Sequence, residues 1–506
     1  MILDSNNLEK DFHATADAVV IGSGAGGAPM AYKLASGGLK VILLEEGKKF
    51  DIPSYKRNSW KVMRDIYRDS GTVLTLGAPS IPIPLGNALG GTTIINSGTC
   101  FRTPEKVFNE WKKDFGLSGF EYSHLIPHFE TIEKMIGVSD ATDETVGSNN
   151  LLFAKGAKKL GLHPKPLPRN APGCKGAGLC VFGCPNEAKT SMERSFIPAA
   201  SDNGATIITS ARAEKLIVKN GKARGISGSF RSPENKKSGK FTIEAKNIIL
   251  SCGAIYSPFF LLKNGLANKS GQVGKNLHIH PAAKVVALFE ETINAWSGIP
   301  QGYYVDDYAS EGIMFEGFFL PPAFLSFTLP AFGMDLKNFM ADYSKMAGFG
   351  IMVTDSSHGR VIAGIDNSPM IFYSVNKADT EKFKKGIEIA ARVYFEAGAI
   401  KVLMPLNGFD VINNTDELKI LHEAKIKPSH LELSAFHPMG TCRMGDNPKN
   451  SVVNSFLETH DIKNLFIADA SVFSSSLGVN PQVSIMAFSL WCAENILKKI
   501  KNFSPS

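Results

Sequence analysis

The chain has 506 residues, 43% hydrophobic and 20% charged, with 55 Lys and Arg against 48 Asp and Glu for a net charge of +7. That length buries a large core and divides into two or three structural units. The positive excess is small and scattered, with no basic block interleaved with aromatics, which argues against a nucleic-acid partner.

The first residues, "MILDSNNLEKDFHATADAVVIG", carry no charged-then-apolar leader, so a cytoplasmic protein is expected, or a periplasmic one exported with a signal-bearing partner. Residues 18–21 form a continuous apolar run, the mark of a strand covered on both faces. Gly22, Gly24 and Gly27 then complete G-x-G-x-x-G around Ala25, and Ala28, Ala31, Leu34 and Ala35 recur at helical spacing. A second strand, 41–44, ends at Glu45. In such a unit the glycines permit the turn, the approach of a pyrophosphate and close helix–strand packing. The helix start favours the phosphates, and the acid accepts from ribose hydroxyls. The pattern predicts dinucleotide binding without separating FAD from NAD.

Downstream, "GNALGGTTIINSG" is a second glycine-rich turn, with Gly91, Thr92, Thr93 and Asn96 as polar or close-approach positions. The polar stretch 232–240 reads as an exposed loop. In "SCGAIYSPFFLLKNGL", Ser257-Pro258 reads as a helix start with Pro in its favoured first position. His278 and His280 resemble a zinc pair in spacing, but no metal is expected there. Residues 317–334 carry no charge, but Pro321, Pro322 and Pro330 interrupt them, so an apolar cap over a cavity is expected rather than a membrane span. Near the C-terminus, Asp469-Ala470 follow a short apolar strand, and Asn480-Pro481 open a helix with an apolar face of Val483, Met486, Ala487, Leu490 and Leu497. His437 is suited to take a hydroxyl proton and Asn480 to hold the substrate oxygen.

The glycine turn with Glu45, "LGGTTIIN", "GAIYSP", "HPMGTCRMG" and "DAS…NP" occur in this order between about 15 and 500. On these motifs the chain resembles the glucose–methanol–choline (GMC) oxidoreductases, FAD enzymes that oxidise alcohols. The resemblance implies an α/β protein with a discontinuous Rossmann-like FAD-binding domain, 12–285 and 437–506, and an α+β substrate domain with an antiparallel sheet, 286–436. It implies contacts to FAD from Gly22, Gly24, Ala25, Gly27, Glu45, Gly91, Thr92, Thr93, Asn96, Ala213, Asp469, Ala470, Asn480 and Pro481. It also places His437 and Asn480 as the catalytic pair. No His stands between Thr93 and Gly98 to link a flavin covalently, so non-covalent FAD is expected. A nicotinamide dehydrogenase would share the first unit but has no use for the C-terminal pair, and a non-catalytic flavin carrier has no use for His437.

The stretch "GCKGAGLCVFGCP", within the loop 170–190, places Cys174, Cys180 and Cys184 in the frame of a ferredoxin run with Ala177 in place of a fourth ligand. Packed thiols, a disulfide, zinc completed by His163 and an iron–sulfur cluster all meet this pattern. Similar subunits of FAD-dependent sugar dehydrogenases hold a [3Fe–4S] cluster on the same spacing. That resemblance implies electron delivery to an external protein such as a cytochrome, and leaves room for a small accessory subunit. The alternative is an oxygen-using alcohol oxidase, of long-chain or sterol type, in which the loop is structural. The apolar stretch in the substrate domain predicts an apolar or bulky alcohol.

Overall fold

The computed structural model describes every residue except 6–7, 10, 56–57, 233–236, 327, 330, 367 and 504–506. Part of the polar stretch 232–240 and Pro330 of the apolar segment therefore lie outside the described residues.

The apolar runs near both termini build one sheet. Its order is Ile2–Asp4, Thr206–Thr209, Val41–Leu44, Asp11–Ile21, Lys237–Leu250, Lys222–Arg231, Ala211–Lys219, with Leu465–Ile467 also on Lys237–Leu250. The pairs up to Lys237–Leu250, and that with Leu465–Ile467, are parallel, while the last two strands close an antiparallel meander. Residues 18–21 and 41–44 are buried throughout, as a parallel sheet with both faces covered requires. Helix Gly27–Ser36 packs against the C-terminal helix Gln482–Phe503, and the seam is close: a Cβ on Gly37 would lie 2.5 Å from Leu497.

Helix Gly253–Lys263 corrects the expected start at Ser257-Pro258. It begins five residues earlier, at Gly253, and holds Pro258 in its interior. Pro258 lacks the N–H that would bond Ala254 O, and Thr441 Oγ1 donates to that carbonyl instead, at 2.6 Å. Asp469 also accepts from Gly253 N, which fixes the helix entry.

The second sheet is antiparallel, in the order Val411–Ile412, Lys401–Leu403, Pro281–Leu288, Met346–Val353, Ile313–Gly317, Tyr303–Val305, Lys165–Pro166, with Ser434–Ala435 on Pro281–Leu288. Strand Pro281–Leu288 spans the 285/286 boundary, and Lys165–Pro166 joins from earlier in the chain. Helices Asp143–Lys159 and Lys377–Ala397 cover its outer face, where Phe153 stacks on Phe349 with ring centres 3.6 Å apart. Among the described residues no helix is long and apolar enough to cross a membrane. In the apolar segment Phe319, Leu325 and Leu329 are buried, while Phe332 is 88% exposed.

Candidate functional site

Between the two sheets lies a cavity of about 430 Å³ whose lining is largely apolar. Its floor is backbone. Gly22 has φ +100° and a Cβ there would meet Ser251 O at 2.3 Å. Gly24 faces Gly91 of the second glycine turn, where an added Cβ would lie 2.9 Å from Gly24 Cα. Gly27 does not line the cavity: a Cβ there would lie 1.8 Å from Gly22 O, so its part is helix–strand packing. The helix that starts here has no side-chain cap and no acidic residue in its first turn, leaving its positive end for a ligand.

Glu45 lines the cavity 7% exposed. Its carboxylate accepts from Ser23 N at 2.9 Å, Ser23 Oγ at 2.5 Å and Gly47 N at 2.8 Å, while burial pushes its pKa up. Ala25, Ala213, Asp469, Ala470 and Pro481 also line the cavity. Thr92, Thr93 and Asn96 are there too, but much of their hydrogen bonding is internal. Thr92 Oγ1 accepts from Gly86 N, and Thr93 Oγ1 donates to Gly90 O. Asn96 Nδ2 donates to Gln482 Oε1 at 2.8 Å, tying this turn to the start of the C-terminal helix. The uncapped helix start, the two touching glycine turns and the buried acid at the strand end fit a bound dinucleotide.

The far end of the cavity is built from side chains. His437 Nε2 lies 3.3 Å from Asn480 Nδ2, which also reaches Glu316 Oε2 at 3.3 Å. Glu316 accepts from Gln301 Nε2 at 3.2 Å, and Thr99 Oγ1 donates to Gln301 Oε1 at 3.0 Å. Behind His437, His280 Nδ1 lies 3.3 Å from His437 Nδ1, and Gly478 N donates to His280 Nε2 at 2.9 Å. That backbone donor leaves Nδ1 as the protonated nitrogen of a neutral His280, so His437 Nδ1 accepts and His437 Nε2 carries the proton. Burial pulls His280 down to about 4 and His437 well below its usual value, so both rings are neutral at pH 7. Burial raises Glu316 to about 7.

Asn480 Oδ1 and Glu316 Oε1 are buried without hydrogen-bond partners. Turning the Asn480 amide over lets Oδ1 accept from His437 Nε2–H and from a protonated Glu316, which gives every contact in the chain a donor and an acceptor. Asp355 braces the cluster from behind. It accepts from Ile279 N at 3.0 Å, Tyr373 Oη at 2.8 Å and Ser476 Oγ at 2.7 Å, joining the segments that carry His280 and Asn480.

The three cysteines of the 170–190 loop are free and line a separate cavity of about 20 Å³, room for one water. Among the described residues no group of three His, Cys, Asp or Glu converges on a metal ion. His163, the candidate fourth zinc ligand, is not turned to the cysteines: its ring faces Asp307 at 2.7 Å. Arg169, 3% exposed, donates to Cys180 Sγ at 3.3 Å and to Ser97 O at 2.7 Å. Lys189, 2% exposed, donates to Ile94 O and Asn96 O, both at 2.6 Å. The loop glycines answer to packing: a Cβ on Gly178 would lie 2.2 Å from Trp296 O, and one on Gly176 3.1 Å from Gly298 Cα.

Sequence reading did not single out Glu316, Gln301, Asp355 or Lys284. None lies in a motif: strand pairing brings Glu316 and Lys284 to the cavity, Gln301 reaches it from a loop, and Asp355 stands behind it in another. His280 carried a signal in its spacing from His278, but its partners are Gly478 and His437 rather than a metal.

Residues 63–282 and 363–489 match the two family models described as GMC oxidoreductase, and 17–59 match that of the FAD binding domain. An uncharacterised GMC-type oxidoreductase of Mycobacterium tuberculosis is 34% identical over 96% of this chain and 76% of its own length. A long-chain-alcohol oxidase of Arabidopsis thaliana is 28% identical over 99% of this chain and 69% of its own. The solved structure of a formate oxidase from Aspergillus oryzae superposes with a TM-score of 0.74 at 17% identity, covering 97% of this chain and all of that one, a likeness of fold. With its glycine turns, its two-sheet architecture and a match of this extent at both ends, the chain belongs to the GMC oxidoreductase family of FAD-dependent enzymes.

Proposed function

We propose that the protein oxidises an alcohol, CH–OH, to the aldehyde or ketone. The carrying observation is the His437–Asn480–Glu316 cluster at one end of a cavity whose other end is the dinucleotide floor. Bound FAD supplies the acceptor for the hydride that leaves the carbinol carbon. The chain's own residues hold the oxygen and take its proton. His437 is the base on the sequence reading. The hydrogen bond from Gly478 to His280 favours a second assignment, in which His437 Nε2–H and Asn480 hold the oxygen and ionised Glu316 accepts the proton.

Anaerobic flavin reduction followed against pH in Glu316→Gln and His437→Asn tests both. If Glu316 is the acceptor, the His437→Asn profile keeps an ionisation near 7 and Glu316→Gln loses it. If His437 is the base, Glu316→Gln keeps its rate. No flavin reduction by any alcohol would overturn the alcohol reading.

For the cysteine loop we retain the proposal of a [3Fe–4S] cluster facing an external electron-accepting protein. It rests on the spacing and on three thiols around one cavity. As folded, that cavity is too small for a cluster, so the loop must widen to hold one. The brace formed by Arg169 and Lys189 favours the alternative, a structural loop in an oxygen-using oxidase. Stoichiometric iron and acid-labile sulfide in anaerobically purified protein would support the cluster, and their absence would leave the oxidase.

A further inference from the structure

Among the described residues of the antiparallel sheet that line the cavity, one ionic group has no part in the reaction. Lys284 stands on strand Pro281–Leu288 and lines the cavity. Among the described residues its ammonium has no hydrogen bond or ion pair; its contact is the Phe318 ring, 5.3 Å to the centre. Burial pulls its pKa to about 8, partly offset by the charge of Glu432, so it is a cation at neutral pH. Lys284 is half-buried, and an ammonium partly withdrawn from water is ordinarily paired.

Strand register fixes where this cation stands. Lys284 pairs with Gly350, and Gly350 pairs with Glu316, so the three share one row and one face of the sheet. At about 4.8 Å per strand, Lys284 and Glu316 lie about 10 Å apart at Cα. Gly350 between them carries no side chain, and Phe318 folds into the space, its Cβ 3.7 Å from where a Gly350 Cβ would stand. The face therefore has a proton-handling end at Glu316, an aromatic middle and a cationic end.

We propose that Lys284 is a specificity residue that binds the carboxylate of an apolar hydroxy acid whose carbinol lies at the His437–Asn480–Glu316 end. This rests on the alcohol reading above. A single negative charge is favoured over a phosphate dianion. One ammonium supplies the positive charge of this row, and the charge of Glu432 is near.

The test uses the FAD-loaded enzyme and three substrates of one chain length: a primary alcohol, its ω-hydroxy acid and the methyl ester of that acid. The acid should be preferred in kcat/KM by about 10–100-fold, the value of a hydrogen bond to a charged group. In Lys284→Met the acid-to-alcohol ratio should fall to about one, and Lys284→Arg should restore part of it. No preference in the unaltered enzyme, or an equal loss on all three substrates in Lys284→Met, would overturn the proposal. Titration with the saturated fatty acid, read by the flavin absorbance, needs no turnover. Weaker binding to Lys284→Met supports the subsite, and equal binding rejects it even if no alcohol is oxidised.

Discussion

The two ends of the cavity are made differently. At the dinucleotide end the working surface is main chain: at Gly22 and Gly91 a side chain would strike a neighbouring backbone, Gly24 is the backbone that Gly91 approaches, and the helix start presents bare N–H groups. At the alcohol end the surface is side chain. His437, Asn480, Glu316 and His280 reach across from separate segments, and each group's protonation depends on its neighbours. A main-chain site tolerates almost no substitution but has no titration. A side-chain site tolerates change in shape and is sensitive to pH.

The largest effect that would sharpen this contrast is at Gly27. A Val there would place its Cβ within 1.8 Å of Gly22 O, so Gly27→Val should yield no flavin-loaded protein. Recovery of yellow holoenzyme at normal yield would break the contrast. Next, His437→Ala should lower kcat by about 10²–10⁴-fold while the purified protein keeps its flavin. Near-normal turnover would remove His437 from the chemistry.

Glu316 offers a thermodynamic test. Its folded pKa of about 7 stands above the usual 4.5, so the folded state binds the extra proton. Its stability is then complete below about pH 4.5 and is lost as pH rises towards 7. Glu316→Gln should match the unaltered protein in denaturant midpoint at about pH 4 and gain stability up to about 3 kcal/mol by about pH 8. A gain independent of pH would show that the carboxyl is not held neutral. The smallest effect is expected at Gly350, where a Cβ meets Glu316 O at 3.4 Å, an ordinary contact. Gly350→Ala should keep its flavin and shift stability by less than about 1 kcal/mol. Loss of flavin there would mean that both ends are equally strict.

The same division explains what could be read from the sequence. The glycine turns, Glu45 and the helix after Asn480-Pro481 were legible because local backbone geometry demands those residue types at short, fixed spacings. Glu316 and Lys284 were not, because the row that joins them runs across three strands distant in the chain. Pro258 misled for a related reason: its helix continues through it only because Thr441 supplies the missing donor. In the cysteine loop the glycines serve Trp296 and Gly298, so close packing explains part of a spacing that also reads as a cluster motif.

The Thr441 hydroxyl that completes the helix at Ala254 has a consequence for the order in which the protein is made. Helix Gly253–Lys263 waits for a donor 187 residues downstream. The glycine turn waits longer: Gly26 packs on Ala468, and its carbonyl accepts from Ser489 at 2.5 Å. A ribosome adding about 5–20 residues per second needs tens of seconds to supply them. The first strands of the parallel sheet thus leave the ribosome long before their partners. Flavin uptake should be among the last events of folding, absent from a nascent chain arrested at about residue 440 and present once Gln482–Phe503 has emerged.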